Sequence, residues 1–125
     1  MRVVMEEFPE LYELLGFFES EPDITDRDVP IHYNRLAYRT VRGENKIYCA
    51  IEPAYGQIVL IWESAEKLVA SLNLEQVFGL RVVSERGIEK IVATFAPKTK
   101  LLDFEFQLKP SIHIKWGNQP NILSI

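Results

Sequence analysis

The apolar residues of this chain change their period once, near Ile31, and that change constrains the fold more than any other feature of the sequence. Before it, Phe8, Leu11, Tyr12, Leu15 and Phe18 follow the i, i+3, i+4, i+7 spacing that lines one stripe of a helix, and Pro9 suits a first turn. The spacing predicts a helix over 9–15, ended by Gly16 as the left-handed residue, with Phe17 folding back onto Tyr12. Residues 19–30 carry Pro22, Pro30 and five acids and read as a loop.

From Ile31 the period is two, and each hairpin can be tested by whether its register sets apolar residues opposite one another on one face. A connection at Arg42-Gly43-Glu44-Asn45 sets Tyr38 opposite Cys49 and Leu36 opposite Ile51, with Arg35 facing Glu52 on the other side. A connection at Pro53-Ala54-Tyr55-Gly56 sets Cys49 opposite Leu60, Ile47 opposite Trp62 and Lys46 opposite Glu63. Both registers choose the same apolar face. Residues 64–77 fit a helix capped by Ser64, but a strand is preferred. A turn over Ser64-Ala65-Glu66 sets Leu68, Ala70 and Leu72 opposite Trp62, Leu60 and Ile58, and pairs Glu63 with Lys67. A turn at Arg86-Gly87 aligns Phe78, Leu80 and Val82 with Phe95, Ala93 and Ile91. In the last hairpin, turning at Lys109-Pro110-Ser111, Phe104, Phe106 and Leu108 oppose Trp116, Ile114 and Ile112, while Glu105 faces Lys115 and Gln107 faces His113.

These elements describe an α+β, β-rich single domain over 1–125: a helix region (1–18), an acidic loop (19–30), an antiparallel meander of about eight sequential strands (31–117) and a tail (118–125) that frays or adds an edge strand. The meander can curl, form a sandwich or close into a barrel. Bulky dry-face residues (Tyr38, Trp62, Phe78, Phe95, Phe104, Phe106, Trp116) argue against a generous internal cavity. At 125 residues such a domain buries roughly two thirds of its unfolded surface and leaves no room for a second catalytic domain.

Composition narrows the function classes. The longest charge-free stretches, Pro53 to Trp62 and Trp116 to Ile125, run ten residues, about half a membrane-spanning helix, and no apolar signal core precedes Glu6 and Glu7. The expectation is a soluble cytoplasmic protein that does not meet a membrane. The net charge of −4 is unevenly spread: residues 1–28 hold nine acids against Arg2 and Arg27, a net of −7, and the remaining 97 residues hold twelve cations against nine acids, a net of +3. An acidic head of this kind suits a basic protein partner and disfavours nucleic acid, because phosphate binding is driven by cations.

Motifs that carry chemistry are few. Cys49 is the one cysteine, so no internal disulfide or multi-thiolate zinc site can form, and its place between Ile47 and Ile51 makes it a buried thiol. His32 and His113 stand 81 positions apart, and neither lies in a motif that marks a base or a metal ligand. Asp23, Asp26 and Asp28 lack the glycine and the twelfth-position glutamate of a calcium loop. The strand acids Glu52, Glu63 and Glu105 have cationic partners across their hairpins, which takes up the obvious carboxylate candidates and weighs against hydrolysis. No catalytic residue, metal or cofactor is expected.

One constellation stands above this background. The second face of the first strands carries Tyr33, Arg35 and Arg39, with Tyr48 opposite Arg39, and arginine stacked on tyrosine is a frequent interface anchor. Together with Glu19, Glu21, Asp23, Asp26 and Asp28 these residues form the expected partner-binding set. The chain therefore reads as a non-catalytic binding protein acting through protein–protein contacts, in the physical niche of acidic inhibitors and immunity-type proteins. The alternative is a small-ligand carrier or enzyme with a pocket near His32 and Tyr33.

Overall fold

The computed structural model describes residues 3–117, so the expected tail at 118–125 lies outside the described residues. One helix, α1 (Leu11–Phe18), precedes nine strands: β1 (Asp23–Ile24), β2 (Leu36–Arg42), β3 (Asn45–Glu52), β4 (Gln57–Ser64), β5 (Lys67–Leu74), β6 (Val77–Glu85), β7 (Ile88–Phe95), β8 (Phe104–Lys109) and β9 (His113–Trp116). Every neighbouring pair is antiparallel, and the strands fall into two sheets, β1-β2-β3-β4-β5 and β6-β7-β8-β9. The expected α+β meander is present as two open sheets and does not close into a barrel.

The registers of β2 with β3, β3 with β4 and β8 with β9 are those the alternation predicts, from Tyr38 opposite Cys49 to Gln107 opposite His113. Residues 67–74 are indeed strand, but two residues out of the expected register: Leu72 faces Leu60 and Ala70 faces Trp62. The cause is a tight turn with both Ala65 (φ 51°) and Glu66 (φ 66°) left-handed, followed by an irregularity between Trp62 and Glu63. Glu63 therefore faces Leu68, and Lys67 faces Ser64. The hairpin of β6 and β7 pairs Leu80 with Ala93 and Val82 with Ile91 as expected. A second irregularity pairs Phe95 with Val77 and turns Phe78 outward to solvent. The acidic loop contains β1, which pairs with Leu36 and Ala37, and the segment expected to begin the first strand is a 3-10 turn over Ile31–Tyr33.

The helix departs furthest from expectation. It runs past Gly16 to Phe18, and Glu19 takes the left-handed cap (φ 56°), its N–H donating to the Leu15 carbonyl at 2.8 Å. The buried face is Leu14, Phe17 and Phe18, so the stripe of Leu11, Tyr12 and Leu15 points outward, and Phe17 packs into the core rather than onto Tyr12. The reason is geometric: Phe18 stacks on Tyr38 of the first sheet (4.4 Å, 17°), and Phe17 meets Phe106 of the second edge to face (6.3 Å). Two adjacent rings thus join the helix to both sheets, and the Thr40 hydroxyl donates to the Phe18 carbonyl at 2.7 Å to fix the rotation. One apolar cluster contains Leu14, Leu36, Cys49, Leu60, Leu80, Ile91 and Phe106, drawn from the helix and both sheets.

A strap over residues 3–9 closes the junction of the sheets. Met5 N–H donates to the Pro53 carbonyl at 2.9 Å and Glu6 N–H to that of Phe78 at 2.8 Å, Leu80 N–H donates to the Glu7 carbonyl at 2.9 Å, and Glu7 bridges Gly79 in parallel. Gly56 (φ 60°) sits beneath the strap, where a Cβ would come within 2.6 Å of the Val3 carbonyl oxygen and 2.7 Å of that of Val77.

Candidate functional site

The helix covers the inner side of the first sheet, so the outer side, with the arginine–tyrosine constellation, is open to solvent. Arg39 and Tyr48 are paired across β2 and β3, and the guanidinium carbon lies 5.0 Å from the ring centroid. Arg35 donates to the Tyr48 hydroxyl at 3.1 Å and to Glu52 Oε1 at 2.9 Å; these bonds to the hydroxyl and carboxylate hold its pKa above the ordinary arginine value. Arg39 also pairs with Asp23. The sheet thus brings four of the expected site residues, Asp23, Arg35, Arg39 and Tyr48, into one ladder. Tyr33 stands apart on the 3-10 turn, exposed, its ring edge-on to His32 at 6.1 Å. His32 is half-buried between Tyr33 and Phe8, whose ring lies 6.4 Å away.

The acids separate into two kinds. Glu19 is tied to Arg42 and Lys109, each at 3.5 Å, and Asp23 to Arg39. Glu21, Asp26 and Asp28 make no ion pair among the described residues and face solvent. The loop that holds Asp26 and Asp28 is fixed by a residue absent from the sequence-based set, the buried Asn34. Its Oδ1 accepts from Asp26 N–H at 2.6 Å, and its Nδ2 donates to the carbonyls of Val29 (3.2 Å) and Pro30 (3.1 Å). Asp26 Oδ1 in turn accepts from Asp28 N–H at 2.9 Å. An asparagine four residues after a proline is the signal that could have revealed it, since such side chains close loops by bonding to backbone.

Sequence reasoning also missed the groove beside the ladder. A hollow of about 280 Å³ is lined by Arg39, Val41, Lys46, Tyr48, Ile61 and Glu63, with Leu68 exposed next to Glu63. Its walls are apolar side chains rimmed by single charges, an arrangement that can seat a side chain of another protein. Cys49 is fully buried, and burial pushes its thiol up to about 12, so it is protonated and shielded at neutral pH. Among the described residues no three His, Cys, Asp or Glu side chains converge to hold a metal ion, and no helix is long and apolar enough to cross a membrane.

No family model matches the chain, and no curated protein matches it in sequence. Among solved structures it is similar to a chain of a contact-dependent growth inhibition toxin–immunity protein complex from Klebsiella pneumoniae 342, at 23% identity and a TM-score of 0.75, over 94% of this chain and 98% of that one. The likeness covers nearly the whole of both chains and establishes a shared fold.

Proposed function

We propose that this chain is a non-catalytic binding protein of the immunity type, which works in the cytoplasm by occupying a basic protein partner. The observation that carries the proposal is the end-to-end fold likeness to a chain of a toxin–immunity protein complex. Charge supports the same side of such a pair: the first 28 residues carry a net of −7, and Glu21, Asp26 and Asp28 are presented by a loop that Asn34 holds in place. The Arg35–Tyr48–Arg39 ladder, with Tyr33 nearby in sequence, supplies aromatic and guanidinium anchors on an open sheet face. Its arginines are already balanced by Glu52 and Asp23, which favours protein contacts over nucleic acid.

The test joins binding to protection. The tagged chain captures its partner from host lysate, and the partner is then expressed with and without the chain. Growth arrest by the partner alone, relieved by the chain, is the expected result; a harmless partner, or arrest caused by the chain itself, overturns the proposal. Replacing Glu21, Asp26 and Asp28 by their amides should slow association with the partner several-fold at low salt, because exposed charges act chiefly on the on-rate.

A further inference from the structure

The rotation of α1 leaves an unexplained surface. Five of its eight residues, Leu11, Leu14, Leu15, Phe17 and Phe18, are aliphatic or phenylalanine, an apolar arc wider than the part of the helix that the sheets enclose. Here Leu14, Phe17 and Phe18 are enclosed, while Leu11 (38%), Tyr12 (73%) and Leu15 (39%) remain exposed. Gly16 lies on the same open side with no atom near the position of a Cβ, so the chain's own packing does not require a glycine there, and its absent side chain permits a close approach. Between the helix and β6 runs a hollow of about 260 Å³, lined by Tyr12, Glu13, Gly16, Val82, Ser84 and Glu89. It adjoins a second hollow in which Glu7 and Glu13 flank Phe8 and Pro9, with Arg81 the one cation lining either.

From this apolar stripe, beside Glu7, Glu10 and Glu13, which make no ion pair among the described residues, and near Glu89, which holds Lys109 at 3.8 Å, we propose that the outward face of α1 and its groove against β6 form a docking surface for a basic, amphipathic segment of the partner protein. Charge complementarity selects the occupant. Leucine or aromatic side chains of the segment cover Leu11, Tyr12 and Leu15, and its lysines or arginines reach Glu7 and Glu13, laying their methylene stems along Val82. A second copy of this chain would bring the same carboxylates against themselves. The inference rests on the proposed basic partner and assigns it a contact surface separate from the loop of Asp26 and Asp28.

The probe is a synthetic helical peptide with one leucine face and one lysine face, compared with its glutamate-for-lysine counterpart and with a lysine peptide lacking leucines. The leucine–lysine peptide should bind, with amide resonance shifts concentrated in residues 8–16 and 80–89. The double variant Tyr12→Ser/Leu15→Ser should weaken it at least tenfold while its thermal unfolding matches the parent. Equal binding of either control peptide, shifts centred on 21–28 or on Arg39 and Tyr48, or unweakened binding by the variant overturns the assignment. The captured partner separates this proposal from the function proposed above. If the double variant binds and protects as the parent does, the surface is wrong and the immunity function stands; if the chain protects against nothing, the function fails while the peptide map still tests the surface.

Discussion

The solvent sides of the two sheets are built from different chemistry. On the second sheet, Val92 points outward yet is buried, because Arg81 and Glu105 flank it across the strands and Lys90 reaches Glu105 at 2.7 Å over the same face. Long polar side chains there shield a small apolar floor. On the first sheet, Ala37 and Ala50 form a comparable buried floor beneath Arg35, Arg39 and Tyr48, but at the end of the ladder Val41 is 69% and Leu68 62% exposed. The centre of the second face is finished by its own side chains, with Phe78 and Ile88 about 40% exposed only at its ends, whereas the first is left more open at Val41 and Leu68. The difference shows that the exposed apolar groups of the first sheet are not an unavoidable result of this architecture.

The largest effect tests whether the two sheets stand or fall together. Phe106→Ala in the second sheet removes a fully buried ring that meets Phe17 of the helix, and should cost about 3–5 kcal/mol. Loss of signal from both sheets in one denaturation transition is expected; two separate transitions would break the shared core. Next, the outward valines can be compared directly. Val92→Ala should lower stability by about 1–2 kcal/mol, whereas Val41→Ala should change it by less than about 0.5 kcal/mol, as chemical denaturation would measure. Equal costs would mean that the outer faces do not differ.

The third test uses pH. Burial raises Cys49 from 9.0 to about 12, so the folded state keeps the proton that the unfolded chain releases above pH 9. This contribution is complete below pH 9 and is lost as pH climbs toward 12; Tyr38, raised by burial for the same reason, adds to the loss above pH 10. Stability should therefore fall as pH rises from 9 toward 12, and fall less in Cys49→Ala than in the parent. The last test concerns Tyr38, whose buried hydroxyl has no hydrogen-bond partner among the described residues. Tyr38→Phe should be neutral or stabilising by up to about 1 kcal/mol, since no bond is lost and a buried polar group is removed.

How much of this was legible in the sequence depends on whether the signal was local. The hairpins through Gly43 and Gly56, and the one turning at Lys109-Pro110-Ser111, were readable because alternation fixes which residues share a face, and a slip of one would send Cys49 and Leu60 to solvent. The irregularities beside Glu63 and Phe78 were not, because they arise where strands twist and the alternation on either side looks intact. The separation of the sheets between Leu74 and Val77 was hidden for a related reason: each hairpin satisfies its own pattern whether or not it joins the next. The helix face was misassigned because the apolar residues of α1 cover a wide arc, so spacing alone could not choose between Leu15 and Phe17. In the site, the pairing of Arg39 with Tyr48 followed from register, whereas the role of Asn34 and the ion pairs of Glu19 depend on contacts between distant segments.

The strap over residues 3–9 has a consequence for how the chain can be divided. It belongs in sequence with the first sheet, yet Glu6 and Glu7 bond to Phe78 and Leu80 along the edge of the second. A cut between Glu75 and Gln76 would thus leave two fragments, each holding one sheet, with the longer one carrying the strand-like segment that the shorter one lacks a neighbour for. Such fragments are suited to reassociate when mixed, with Phe17 returning to Phe106 and Met5 to the junction, so this site is a natural place to split the molecule into a complementing pair of reporters.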